Sequence, residues 1–188
     1  MKNRKSKKLE PTKIGKLPIT KIDAAVRQLE TAVRLWFYDA DPVSIATLTH
    51  AGYQIISDLN KRKGGKSMMM MEGGGMIKEE FLSDYIRVLR ATPNFFKHAD
   101  EDPDETHYFA PQVNELLLLD AIDVYGSWEL EKRPIFTSFS AWMSLSNPRI
   151  IKKEFLERME REVGSFESIT EMGKKKFFEI SLAQTLRI

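Results

Sequence analysis

The sequence predicts an all-α protein, a helical bundle, and three observations carry this prediction. Apolar residues recur at steps of three and four along several stretches, as one buried face of an α-helix requires. Helix start signals such as Asp41-Pro42 alternate with stop signals such as Gly64-Gly65. No stretch alternates apolar and polar residues over the length of a β-strand. A chain of 188 residues is long enough to bury one stable core.

Composition excludes several kinds of protein. The chain has no cysteine, which excludes disulfides and thiolate metal sites. No apolar run approaches the length of a membrane span, so we expect no membrane partner and predict a cytoplasmic location. The basic start is followed by Leu9-Glu10-Pro11-Thr12 instead of an apolar segment, so a secretory signal is not expected.

The first sixteen residues carry the positive charge of the chain. They hold seven Lys or Arg residues against one acid, Glu10. Removing them from the totals of 29 basic and 27 acidic residues leaves 22 and 26, so the remainder is net negative. We therefore predict a basic disordered leader, 1–16, before a single helical domain, 17–188. Such a tail can touch nucleic acid or an anionic membrane, but it has no aromatic residue among its lysines to stack on bases, which favours a solubilising leader.

The first helix is predicted to start at a capping pair and to end near a turn. Thr20 and Asp23 have the spacing of a reciprocal cap, and apolar residues then recur at helical steps as far as Trp36. The helix is expected to stop around Asp39-Ala40. Asp41 as N-cap and proline at the next position then predict a second helix.

This second helix, roughly 42–62, has two apolar or uncharged faces. One face holds Ile45, Leu48, Gly52, Ile55 and Leu59, and the opposite face holds Ala46, His50, Tyr53 and Ser57. An exposed helix face normally carries charges. We therefore expect the second face to be covered, either by the C-terminal helices or by the same helix of a second subunit. A two-fold contact of this kind would place His50 and Tyr53 near their symmetry mates.

The segment after Gly64-Gly65 is of low complexity. Four consecutive methionines, Met68 to Met71, are followed by glycines at 73–75, which predicts a mobile loop. An alternative is that the methionines close over an apolar ligand, because their side chains adapt to many shapes.

Further helices are predicted along the rest of the chain. The third runs about 77–91, with Phe81, Tyr85, Val88 and Leu89 as its apolar set, and Pro93 is expected to break it or to start a new turn. The others are a buried helix opened by Pro111, an aromatic-rich stretch from Pro134 to Leu145, a charged helix from Asn147-Pro148 to about 163, and a terminal helix opened by a second capping box, Ser168 with Glu171.

The stretch 94–104 concentrates the groups best suited to chemistry. A metal site built from His98, Asp100 and His107 is conceivable, but the residues have no recognised ligand spacing. The alternating aspartates start like a calcium loop, yet Pro103 interrupts them and the required glycine is missing. We therefore predict a solvated acidic turn, no metal and no cofactor. Phosphate-binding and nucleophile motifs are absent as well.

Two segments carry a resemblance to a known family. The helix opened by Asp41-Pro42-Val43-Ser44-Ile45, followed by the motif Asn94-Phe95-Phe96-Lys97-His98-Ala99-Asp100, resembles a family of bacterial helical proteins similar to HEPN domains. HEPN domains are helical bundles that often act as dimeric RNases or as partners in toxin–antitoxin and phage-defence systems. The resemblance covers roughly 17–130 and leaves 131–188 as a C-terminal helical extension. It implies a homodimer through helix 42–62, with a protein or an RNA as a further partner.

The resemblance also implies candidate site residues. HEPN nucleases use an arginine, a polar residue, three variable residues and a histidine. Asn94 and His98 stand at the polar and histidine places, Pro93 stands at the arginine place, and Arg90 is the nearest basic residue.

Two functions follow from this comparison. The favoured one is a non-catalytic interaction module whose binding residues are Lys97, His50, Tyr53 and Asp100. The alternative is a metal-independent RNase at a dimer cleft, with His98 as general acid or base, Asn94 as orienting group, and Arg90 or Lys97 as the positive charge. The carboxylates that follow His98 favour the module, because they would repel a phosphate backbone.

Overall fold

The computed structural model describes residues 16–70, 72, 77–100, 103–128, 130–146, 157 and 166–185. These residues form an all-α fold without strands, which confirms the predicted class. The helices are α1 Lys21–Phe37, α2 Pro42–Arg62, α3 Glu79–Phe95, α4 Val113–Gly126, α5 Pro134–Ser146, α6 Phe166–Met172 and α7 Lys174–Thr185. The predicted leader, apart from Lys16, and the predicted charged helix, apart from Glu157, lie outside the described residues.

Local capping rules place the starts of α1 and α2. The Thr20 hydroxyl accepts a hydrogen bond from the Asp23 amide at 3.1 Å, and the Asp23 carboxylate accepts one from the Thr20 amide at 3.1 Å. Before α2, the Asp41 carboxylate accepts a hydrogen bond from the Ser44 amide at 2.7 Å. Both predicted caps are confirmed. Between the helices Asp39 has a φ of 51°, a left-handed conformation that aspartate tolerates better than most residues.

Helices α1 and α2 form the centre of the bundle. Their short connection makes them antiparallel neighbours. The contact is close because α2 presents Gly52 to α1, where a Cβ atom would lie 2.7 Å from Leu29 Cγ and 3.2 Å from the Ala25 carbonyl oxygen. Residues on both sides of position 130, from Ala25 in α1 to Phe178 in α7, share one buried apolar cluster.

The uncharged face of α2 is covered, as predicted, but by a different part of the chain. Ala46, His50, Tyr53 and Ser57 are all buried within a single subunit. Among the described residues the cover comes from α4, which packs along α2 and fills the place that was predicted for the C-terminal helices or a second copy. The Tyr53 hydroxyl donates a 2.5 Å hydrogen bond to Asp120 of α4. Because the face is occupied in this way, a dimer needs a different surface.

The C-terminal helices pack against the C-terminal end of α1. Phe37 stacks on Phe178 of α7 with ring centroids 4.3 Å apart, and Phe139 of α5 packs edge-on against Phe37. Lys174 forms a 2.6 Å ion pair with Asp39 and lies 4.2 Å from the centre of the Trp36 ring. The first turn of α7 is thus fixed to the last turn of α1.

Two predicted helix boundaries were wrong. Helix α3 continues through Pro93 to Phe95. The proline lies in its last turn, where the missing amide interrupts little of the remaining helix. Ser168 does not open the terminal helix, since it lies inside α6. The chain instead turns at Gly173, whose φ of 77° ends α6, and α7 then begins at Lys174.

The prediction of a mobile methionine loop was wrong for the residues that the structure describes. Met68 and Met70 are 1% and 8% exposed and belong to the core. The amides of Met69 and Met70 donate to the Asp120 carboxylate at 3.1 and 3.0 Å. The Met68 amide donates to Glu72 at 3.2 Å, and Glu72 also accepts from Ser57 at 3.0 Å. Position 71 and the glycines at 73–75 lie outside the described residues.

Among the helices of the described residues, none combines the length and the hydrophobicity that crossing a membrane requires.

Candidate functional site

The predicted catalytic residues lie on the surface at the end of α3. Because the helix continues through Pro93, Arg90 and Asn94 are one turn apart on the same side. The His98 amide donates to the Asn94 carbonyl at 3.0 Å, so His98 follows one turn later. All three side chains are exposed, as are Lys97 and Asp100. The structure thus brings Arg90, Asn94 and His98 into one row, and none of the three lines the cavity described below.

The predicted binding residues of α2, His50 and Tyr53, are both buried, and they belong to two separate sites. Tyr53 belongs to a buried polar cluster around Asp120. His50, which is 7% exposed, lines a cavity of about 360 Å³. We call this the His50 cavity; its lining residues come from α2, from α3, and from the segment 107–114 that leads into α4.

A second histidine lines the His50 cavity. His107 Nε2 is hydrogen-bonded to the Thr92 hydroxyl of α3 at 2.8 Å, and the His107 ring stacks on Phe95 with centroids 5.1 Å apart. Phe96 packs edge-on against Phe109, with ring centroids 5.1 Å apart. Phe95 and Phe96, both half-buried, therefore tie the end of α3 to the segment before α4. These contacts form one wall of the cavity.

The electrostatic environment keeps His50 neutral. Burial, and to a smaller extent the positive charge of Lys97, lowers the pKa of His50 from 6.5 to about 4. A neutral imidazole offers one hydrogen-bond donor and one acceptor to a neighbour. Asn114, 3% exposed at the start of α4, adds an amide to the same lining. The cavity therefore combines polar groups of both kinds with apolar walls.

The acidic turn after His98 does not gather around a metal site. Asp100, Asp104 and Glu105 are exposed, and His107 is engaged with Thr92 and Phe95. Within the part of the chain that the structure describes, no group of three His, Asp or Glu side chains is placed to hold a metal ion.

Several residues of these sites were missed by sequence reasoning. No sequence motif marks Thr92, Asn114 or Arg87 as a site residue, because each is an ordinary position in a predicted helix. Asp120 could have been recognised from the sequence, because it directly follows four leucines in a strongly apolar helix. A carboxylate buried in such a helix needs hydrogen-bond donors around it, and the Tyr53 hydroxyl and the amides of Met69 and Met70 are those donors.

Comparisons of this chain with protein-family models, with curated proteins and with solved structures find no match.

Proposed function

We propose that this chain is a HEPN-like helical interaction module without catalytic activity, and that its partner is a second copy of itself. The observation that carries the proposal is the exposure of α3. All seventeen residues of this helix are described, and Pro93 is the one that is buried. Phe81 and Val88, two turns apart on one side, are 57% and 66% exposed. Exposed apolar side chains aligned on one helix are typical of an interaction surface.

Charge complementarity favours a second copy as the partner. The first half of α3 is acidic, with Glu79, Glu80 and Asp84, whereas the second half carries Arg87 and Arg90. This order suits the helix dipole, and it also makes the helix complementary to an antiparallel copy of itself. In a pair centred between positions 84 and 85, Phe81 faces Val88 of the second copy, and the acidic half of each helix lies beside the basic half of the other. Each contact then occurs twice, as an isologous interface requires.

The dimer can be tested by sedimentation or light scattering. The wild-type chain is expected to dimerise at micromolar concentrations. Phe81→Asp is expected to weaken the dimer by about tenfold or more, because it places a carboxylate against Val88 and removes the largest apolar contact. Leu130→Asp is the matched control, since Leu130 is 44% exposed but lies outside α3. A wild-type chain that stays monomeric at high micromolar concentration contradicts the proposal.

A pair of oppositely charged variants tests the antiparallel arrangement itself. Phe81→Asp places a carboxylate against Val88 of the second copy, and Val88→Lys places an ammonium group against Phe81, so each variant alone is expected to dimerise poorly. Mixing the two variants pairs the new carboxylate with the new ammonium group and keeps one Phe81–Val88 contact, so a heterodimer is expected. Failure of the mixture to associate would contradict the arrangement even if the wild-type chain is dimeric.

A metal-independent RNase is the second candidate, favoured by the row of Arg90, Asn94 and His98. In this mechanism His98 acts as general acid or base and Arg90 stabilises charge on the phosphate. A shared cleft would need both His98 residues close together. The antiparallel α3 pair separates them by roughly 40 Å at 1.5 Å per residue, so the two candidates predict different dimers.

Incubation with labelled RNA tests the RNase candidate. If it is correct, the wild-type chain cleaves the RNA, His98→Ala is inactive, and His107→Ala, whose ring faces the His50 cavity, remains active. Absence of cleavage by the wild-type chain, or equal cleavage by His98→Ala, rules out a catalytic role of His98.

A further inference from the structure

The His50 cavity has the dimensions of a small-molecule site. Its volume of about 360 Å³ lies at the lower end of the ~300–1,000 Å³ range of such sites. Val88 and Leu89 of α3, with Phe109 and Val113 opposite, give it apolar walls. Their arrangement suits a compact molecule with an apolar body, of about one or two fused rings.

The polar groups of the cavity select the charge of its occupant. Uncharged hydrogen-bonding side chains line it at five positions, His50, Thr92, His107, Tyr108 and Asn114, and Arg87 lies at its edge. Among the residues that the structure describes, no aspartate or glutamate lines the cavity. Lys97 adds a positive charge within electrostatic range of His50. A cation would therefore be repelled by Arg87 and Lys97, whereas an anion would meet hydrogen-bond donors and a guanidinium.

Arg87 is available to such an anion. Its Nη2 atom lies 2.9 Å from Asp84 Oδ1, but both side chains are mostly exposed, at 77% and 68%. Exposed ion pairs of this kind contribute little and exchange readily with other partners. A guanidinium binds a carboxylate through two parallel hydrogen bonds, which makes a carboxylate the best match for this edge.

We propose that the His50 cavity binds a small organic carboxylate, with its apolar ring system between α3 and the 109–113 segment and its carboxylate at Arg87. His50, His107 and Asn114 hydrogen-bond the polar atoms of the ring. This site shares Val88 with the dimer proposed above, but Phe81 does not line the cavity. Phe81→Asp is therefore expected to weaken the dimer and to keep the binding of a carboxylate, which distinguishes the two proposals.

Histidine NMR of the full chain locates the binding. The chain has three histidines, of which His50 and His107 line the cavity and His98 does not. On titration with indole-3-acetate, the imidazole signals of His50 and His107 are expected to shift with one saturable curve, while the His98 signals stay in place. If no histidine signal moves at millimolar probe, or if His98 moves as much as the other two, the proposed site is wrong.

Indole-3-acetamide, the neutral analogue, tests the preference for an anion. The wild-type chain is expected to bind the acetate about tenfold more tightly than the acetamide. Arg87→Ala is expected to remove that difference, and Arg90→Ala, a matched arginine of α3 outside the cavity, is expected to keep it. Equal affinity of the wild-type chain for both probes overturns the carboxylate assignment.

A blocking variant separates loss of binding from loss of fold. Ala91 lines the cavity but is itself exposed, so Ala91→Phe narrows the opening without disturbing the core. It is expected to abolish binding of both probes while the melting temperature without probe stays within a few degrees of wild type. Unchanged affinity in a folded Ala91→Phe protein means that the probes bind elsewhere and overturns the proposal.

Discussion

His50 is a titratable group that the fold holds in its neutral form, and this has a consequence for acid stability. Burial and Lys97 lower its pKa from 6.5 in the unfolded chain to about 4. As pH falls from 6.5 to 4, the unfolded chain gains a proton that the folded protein does not accept. The contribution of His50 to stability is therefore present above pH 6.5 and is lost across this window.

Denaturation at several pH values measures this loss. Between pH 6.5 and 4 the free energy of unfolding of the wild type is expected to fall more steeply than that of His50→Gln, by on the order of a few kcal/mol across the window. His98→Gln, a substitution of an exposed histidine, is expected to keep the wild-type slope. Equal slopes for the wild type and His50→Gln would show that His50 is protonated inside the fold.

Asp120 is the residue that holds the methionine loop in place. Its carboxylate accepts hydrogen bonds from the Tyr53 hydroxyl and from the amides of Met69 and Met70. Asp120→Asn replaces a charged acceptor by an amide that can accept at one atom only. We expect a loss of about 2–4 kcal/mol in the free energy of unfolding, from urea denaturation.

The control for Asp120 lies on the same helix. Asp123 is exposed, and Asp123→Asn is expected to change stability by less than about 0.5 kcal/mol. If Asp120→Asn were as mild as Asp123→Asn, the three donors would have to find other acceptors, and the loop would not depend on Asp120.

The contact of α1 with α2 depends on the absence of a side chain at Gly52. In Gly52→Ala the new methyl group would meet Leu29 and the rigid backbone carbonyl of Ala25. Overpacking of this kind costs about 1–3 kcal/mol, more than the gain of up to about 1 kcal/mol from the better helix propensity of alanine. Net destabilisation is therefore expected in thermal or urea denaturation.

Gly126→Ala is the matched control at the end of α4. A Cβ atom at this position meets no atom within 4 Å, so the substitution is expected to leave stability unchanged or slightly raised. A Gly52→Ala protein as stable as Gly126→Ala would show that α1 moves away from α2 without cost.

Sequence reasoning succeeded for elements whose causes are local. The starts of α1 and α2 depend on hydrogen bonds within a few residues of Thr20 and Asp41, so the caps were predictable. The buried loop at Met68 depends on Asp120, some fifty residues later, and no local pattern announces such a bond. The His50 cavity also depends on contacts between residues far apart in sequence, because it forms where α2 meets the 107–114 segment.

At the scale of the whole molecule, the helices differ in how firmly they are held. Helices α1 and α2 bury many residues, whereas α3 buries one and leaves Phe81 and Val88 exposed. Local opening is easiest where few apolar contacts must be broken. In hydrogen exchange below the dimerisation concentration, the amides of α3 are expected to exchange at least about tenfold faster than those of α2.

Hydrogen exchange of the dimer can be compared with that of the monomer. At concentrations where α3 pairs with a second copy, its exchange is expected to slow, while the amides of α2 change little. Protection of α3 equal to that of α2 in the monomer would show that the 95–109 contacts alone hold the helix as firmly as the core.

The attachment of α7 to the end of α1 also bears on the biosynthesis of the protein. Tyr38 and Glu179, joined by a 3.4 Å hydrogen bond, are 141 residues apart, and the stacked rings of Phe37 and Phe178 are their neighbours. A ribosome delivers α1 first, so the Phe37 ring has no stacking partner until nearly all of these residues have been translated. Apolar surface that is exposed during synthesis promotes aggregation, so we expect release of the nascent chain before α7 emerges to leave an aggregation-prone product.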